Sequence, residues 1–199
     1  MAAKSHDDHE THHRRSVRLR DYDYRQAGAY FVTICAHDRL CIFGEAEGSR
    51  VVLNDYGIVV QEEWLRTEAQ RPHVRLDAFV VMPNHVHGII VLQADDQEGT
   101  ARRAPTGATA RFGEALAGSL ATVVGAFKSA ASRRINQMRG TPGMPVWQRN
   151  YYEHVIRSEK ELNRIRQYIA DNPTRWALDP ENPSQGSGLC SEIPTTGQR

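Results

Sequence analysis

The chain has 199 residues, 40% hydrophobic and 25% charged, with a formal net charge of +1. This is the composition of a soluble globular protein long enough to bury a core without staples, and the near-zero net charge argues neither for nor against a nucleic-acid partner. No apolar run approaches the roughly 18 residues of a membrane span, and three scattered cysteines, Cys35, Cys41 and Cys190, with no Cys-x-x-Cys pair, fit neither a disulfide framework nor a zinc knuckle.

The N-terminus is polar, with His6, His9, His12 and His13 among charges. It lacks an apolar signal region, so a cytoplasmic location is expected, with residues 1–15 as a disordered tail. A basic arm follows: Arg14, Arg15, Arg18, Arg20 and Arg25. Residues 30–35 are β-branched and aromatic and read as a strand. Asn54 has the character of an N-cap. Tyr56, Val59, Val60 and Trp64 recur at helical spacing after it, predicting a helix to about Gln70, and Arg71-Pro72 ends it. Alternation from Leu76 to Met82 predicts a second strand, and Pro83-Asn84 a turn into a third.

Residues 93–113 are polar and rich in Gly, Ala, Thr and Arg, and read as a mobile loop. A strong helical period then runs through Leu120, Val123, Phe127, Ala131, Ile135 and Met138. Residues 147–156 predict a fourth strand. Ser158 and Glu161 form a capping box that opens a last helix. It stops at Asn172, because Pro173 disfavours helical geometry in the residue before it. The segment 179–199 is rich in Pro, Gly, Ser and Thr and reads as a flexible tail. One domain is therefore expected over 16–178. Its element order matches an α+β, ferredoxin-like βαββαβ antiparallel sheet with an added C-terminal helix.

The third strand opens with His85-Val86-His87. Side chains two apart on a strand share a face, so the pair presents two imidazoles, the commonest protein metal ligand, side by side. In the last helix Tyr168 and Asn172 are i and i+4 and lie on one face, beside the docking stripe Leu162, Ile165 and Ile169. Two imidazoles and an amide oxygen would leave open positions on Mg²⁺ or Mn²⁺. Such an ion can act as a Lewis acid on a phosphate, and a deprotonated tyrosine can attack phosphorus to give a covalent link. From Lys128 to Arg175 there are ten Lys or Arg against four Asp or Glu. Lys128, Arg133, Arg134, Arg149 and Tyr152 are therefore candidate DNA contacts, although a solvated helix face explains the charge equally well.

Pro83-Asn84-His85-Val86-His87-Gly88 resembles the HUH motif of single-tyrosine transposases of insertion sequences. Trp147-Gln148-Arg149, Tyr151-Tyr152, Val155-Ile156-Arg157 and Tyr168-Ile169-Ala170-Asp171-Asn172-Pro173 look like the REP-associated tyrosine transposase branch. The resemblance spans roughly residues 16–180. It implies a metal-dependent nuclease and strand transferase acting on single-stranded or hairpin DNA; the sequence leaves monomer and homodimer both open. By that carry-over His85 and His87 are metal ligands, Tyr168 is the nucleophile that forms a 5′-phosphotyrosine, and Asn172 stands where related enzymes place a Gln ligand. Tyr151 and Tyr152 remain rival nucleophiles. A non-catalytic hairpin or single-strand DNA-binding regulator on the same fold, and a phosphodiesterase in which water attacks, remain rival functions.

Overall fold

A computed structural model describes residues 26–94, 118–179, 182 and 183. The basic arm, most of the 93–113 loop and most of the C-terminal tail lie outside the described residues. Four strands form one antiparallel sheet: β1 (Gly28–Cys35), β4 (Val74–Val81), β5 (His85–Leu92) and β6 (Tyr152–Ile156). Their order across the sheet is β4-β5-β1-β6. The helices are α1 (Asp55–Ala69), α2 (Leu120–Met138) and α3 (Glu159–Asp171). This is the ferredoxin-like arrangement with the extra helix α3, and the histidine strand β5 is central. Among the described residues no helix is long and apolar enough to cross a membrane.

Strand alternation divides the sheet into two faces. Tyr30, Val32, Ile34, Val86, Ile90 and Leu92 point to one side. There they make the main core with Val59, Val60 and Trp64 of α1 and Val123, Phe127 and Ala131 of α2. Phe31, Ile89 and Val91 point to the other side and meet Leu162, Ile165 and Ile169 of α3. The apolar stripe read from the sequence is thus the surface by which α3 docks. Gly88 sits on the α1 side of β5, where an added Cβ would collide with the Trp64 indole. The glycine of the His-x-His-Gly run therefore marks where α1 presses on the sheet.

The caps follow the sequence. Asn54 accepts hydrogen bonds from the amides of Tyr56 and Gly57, and the Ser158 hydroxyl accepts from Glu161. Two local features differ from the reading of the sequence. A small hairpin, β2 (Gly44–Glu47) with β3 (Arg50–Leu53), precedes α1. And β6 begins at Tyr152, not at Trp147, which makes only an isolated bridge to Ala36. Trp147 is committed elsewhere: its ring packs 4.9 Å from Phe43 and 5.6 Å from Phe127 between centroids, and its Nε1 donates to the carbonyl of Lys128.

Candidate active site

His85 and His87 lie on the α3 side of β5, and both are buried. Each Nδ1 has a partner. Nδ1 of His85 is 2.8 Å from Oδ1 of Asn84, and Nδ1 of His87 is 2.9 Å from Oγ1 of Thr33 on the neighbouring strand. Thr33 is there because antiparallel register sets it opposite His87. With Nδ1 engaged on both rings, both Nε2 atoms are left to face outward from the strand. Partners of this kind orient metal-ligating histidines. The rings are 4.3 Å apart between centroids. Burial lowers both basicities: His87 is pushed down to about 3, and His85 falls well below the usual value, with the charges of His87 and Arg39 adding to the effect. At neutral pH both rings are therefore uncharged and carry a lone pair.

The structure brings Tyr168 to this pair. Its hydroxyl is 3.3 Å from Nε2 of His87, and its ring lies 5.2 Å from the imidazole and 6.0 Å from Phe31, edge-on in both cases. The residue as a whole is 39% exposed, and its hydroxyl contact with His87 is part-buried. Asn172 follows one helical turn later at the α3 C-cap. It is buried, and its Oδ1 has no hydrogen-bond partner among the described residues.

Asp179 is a further member that the sequence reading had at the start of the flexible tail. After α3 a short turn, Trp176–Leu178, carries the chain back over the site. The Trp176 ring packs 6.0 Å from His85 between centroids, and the Asp179 carboxylate is buried 4.0 Å from Nε2 of His85. Ligand atoms of His85, His87 and Asp179 all lie within 4.8 Å of one another. Nε2 of His85 is buried without a hydrogen-bond partner among the described residues. Two neutral nitrogens, a carboxylate and orphaned buried polar atoms are what a divalent cation would satisfy.

The other candidates divide. Tyr152 is exposed on the histidine side of the sheet, 6.3 Å from the Phe31 ring. Tyr151 packs against the main core instead. Arg133 and Arg149 are exposed. Lys128 and Arg134 sit on α2, across the sheet from the histidines, and their charges are used internally. Lys128 donates to the carbonyls of Gln148 and Arg149, and burial lowers its basicity. Arg134 is clamped by Glu62 at 2.6 Å and Glu63 at 2.7 Å on α1. His154 hydrogen-bonds Glu161 at 2.8 Å.

Among known proteins, no family model matches the chain. A Haemophilus influenzae protein of unassigned function is 38% identical over 168 residues, covering 84% of this chain and 92% of the relative. A candidate REP-associated tyrosine transposase of the same organism is 25% identical over 154 residues, covering 77% and 74%. A solved REP-associated tyrosine transposase bound to a REP hairpin superposes with a TM-score of 0.51 at 18% identity, covering 92% of this chain and 98% of that one. That likeness is one of fold.

Proposed function

We propose that this chain is a member of the REP-associated tyrosine transposase branch of the single-tyrosine HUH transposases, and that it is a metal-dependent endonuclease and strand transferase for hairpin-associated single-stranded DNA. Tyr168 is its nucleophile. The observation that carries the reading is the 3.3 Å approach of the Tyr168 hydroxyl to His87, from an element 81 residues further along the chain.

His85, His87 and Asp179 would hold the ion, with Asn172 as a further oxygen donor, and Mg²⁺ or Mn²⁺ suits such a mixed nitrogen and oxygen set. When bound, the ion supplies Lewis acidity to a scissile phosphate. Tyr168 reaches the site from the half-open side and loses its phenolic proton to solvent. Its oxygen attacks phosphorus. A tyrosine–phosphate ester forms with the 5′ side of the break, the bond to the 3′ oxygen breaks, and that oxygen leaves and takes up a proton. The ester conserves the energy of the broken bond, so a second 3′-hydroxyl can reverse the step without ATP. Docking of α3 through Ile165 and Ile169 keeps the phenol near its target, and this pre-orientation replaces the entropy of a free encounter.

The hairpin bound in the related structure supports hairpin-bearing DNA as the substrate class. The test is to incubate the protein with labelled single-stranded DNA carrying a hairpin, with Mn²⁺ or with a chelator, and run a denaturing gel. A metal-dependent band of DNA joined to protein is expected. Hairpin binding without that band supports the alternative, a non-catalytic regulator, and cleavage without it supports attack by water.

A further inference from the structure

We propose that Asn84 is a positioning residue: it fixes which nitrogen of His85 carries the proton, so that Nε2 keeps its lone pair for a cation. The proposal rests on the reading of His85 as a metal ligand and adds a residue to it.

The argument is one of donors and acceptors. Two contacts of the buried Asn84 amide bear on the tautomer. Its Nδ2 donates to the carbonyl of Arg39 at 2.9 Å. A carbonyl only accepts, so the amide cannot be turned end for end without setting two oxygens against each other. Its Oδ1 is therefore the end that meets Nδ1 of His85, at 2.8 Å. An amide oxygen also only accepts, so Nδ1 must be the nitrogen with the proton. A neutral imidazole has one N–H. Nε2 then faces the Asp179 carboxylate across 4.0 Å with a bare lone pair. Two electron-rich atoms confront each other over a gap that a cation would bridge.

Thr33 cannot do the same for His87. Its hydroxyl can donate or accept, so the 2.9 Å contact does not dictate a tautomer. The two imidazoles are therefore held differently: His85 is fixed by Asn84, and His87 is free to adapt to what approaches its Nε2.

The Arg39 carbonyl is itself held in place at a cost. Asp38 and Arg39 adopt left-handed backbone, with φ of 52° and 56°, which non-glycine residues rarely do. Main-chain bonds stitch this turn to the Pro83-Asn84 turn. The Ala36 amide donates to the Asn84 carbonyl at 2.7 Å, and that of Phe43 to the Pro83 carbonyl at 2.9 Å. The strained turn after β1 thus presents the acceptor that orients Asn84.

The test uses the full chain, ¹⁵N-labelled, with long-range ¹H–¹⁵N correlation of the His85 ring before metal is added, followed by Mn²⁺ titration. The wild type is expected to show the Nδ1–H tautomer. Asn84→Ala is expected to populate the Nε2–H form and weaken Mn²⁺ binding by about tenfold to a hundredfold. Asn84→Asp keeps an acceptor toward Nδ1 but gives up the bond to the Arg39 carbonyl, and is expected to favour the Nδ1–H form relative to the alanine variant. An Nε2–H tautomer in the wild type overturns the proposal, whether or not the alanine variant folds. So does an alanine variant that keeps both the Nδ1–H form and its Mn²⁺ affinity. A wild type that binds no Mn²⁺ but shows an Asn84-dependent Nδ1–H tautomer removes the metal reading and supports the role of Asn84.

Discussion

The hydroxyl of Tyr168, on α3, lies 3.3 Å from Nε2 of His87, on β5. That nitrogen is also the one a metal ion would use. An ion on that nitrogen would take the place of the phenol, so loading the site would require the hydroxyl to step aside. We expect Tyr168→Phe to bind Mn²⁺ at least as tightly as the wild type, by calorimetry, while losing the covalent adduct and keeping hairpin affinity. A large loss of Mn²⁺ affinity would make Tyr168 a ligand and not a nucleophile.

Asp179 carries the only full negative charge in the group His85, His87 and Asp179. Charge dominates the attraction of a hard cation for its ligands. Asp179→Ala is expected to weaken Mn²⁺ binding by about tenfold or more, and Asn172→Ala by less, since a neutral amide oxygen is the weaker donor. Equal affinities in wild type and Asp179→Ala would remove the carboxylate from the site.

The helix that carries Tyr168 is tied to the sheet by charge as well as by Ile165 and Ile169. Nε and Nη2 of Arg166 meet the two Asp77 oxygens at 2.9 and 2.7 Å. The Arg166 hydrogen bond holds the Asp77 carboxyl below the ordinary carboxylate value. A depressed folded-state pKa gives stability that is fully present above the unfolded value, near 3.8, and is lost as pH falls through the folded value. The pair is partly exposed, so solvent screening keeps its contribution small. Urea denaturation should show the wild type slightly more stable than Asp77→Asn at pH 7, with the difference constant down to about pH 4 and closing below it. A difference that grows on acidification would contradict the assignment.

Gly88→Ala would drive a methyl group into the Trp64 indole. Overpacking of this kind costs about 1–3 kcal/mol. The loss should appear in thermal denaturation and be partly recovered by pairing the change with Trp64→Phe. An alanine variant as stable as wild type would mean that α1 shifts freely on the sheet.

The parts of the site that obey a short period were legible in the sequence. His85 and His87 alternate on a strand, and Tyr168 stands at helical spacing from Asn172 and from the docking stripe. Asp179 was not legible. It follows the last helix in a segment with no period, and its burial depends on Trp176 folding back onto His85. Nor could the sequence sort the basic residues. Lys128 and Arg134 lie off the apolar stripe of α2, as a DNA-binding residue would, but their partners come from α1 and from carbonyls before β6. The hairpin β2–β3 escaped because each strand has four residues, too few for alternation to register.

The most direct measurement is to map the residue that becomes joined to DNA. Covalent complex formed with hairpin-bearing single-stranded DNA and Mn²⁺ is digested with protease and nuclease, and the modified peptide is identified by mass spectrometry. The account predicts a nucleotide remnant on the oxygen of Tyr168. A remnant on Tyr151 or Tyr152, or no joined peptide from DNA that has been cut, would contradict it.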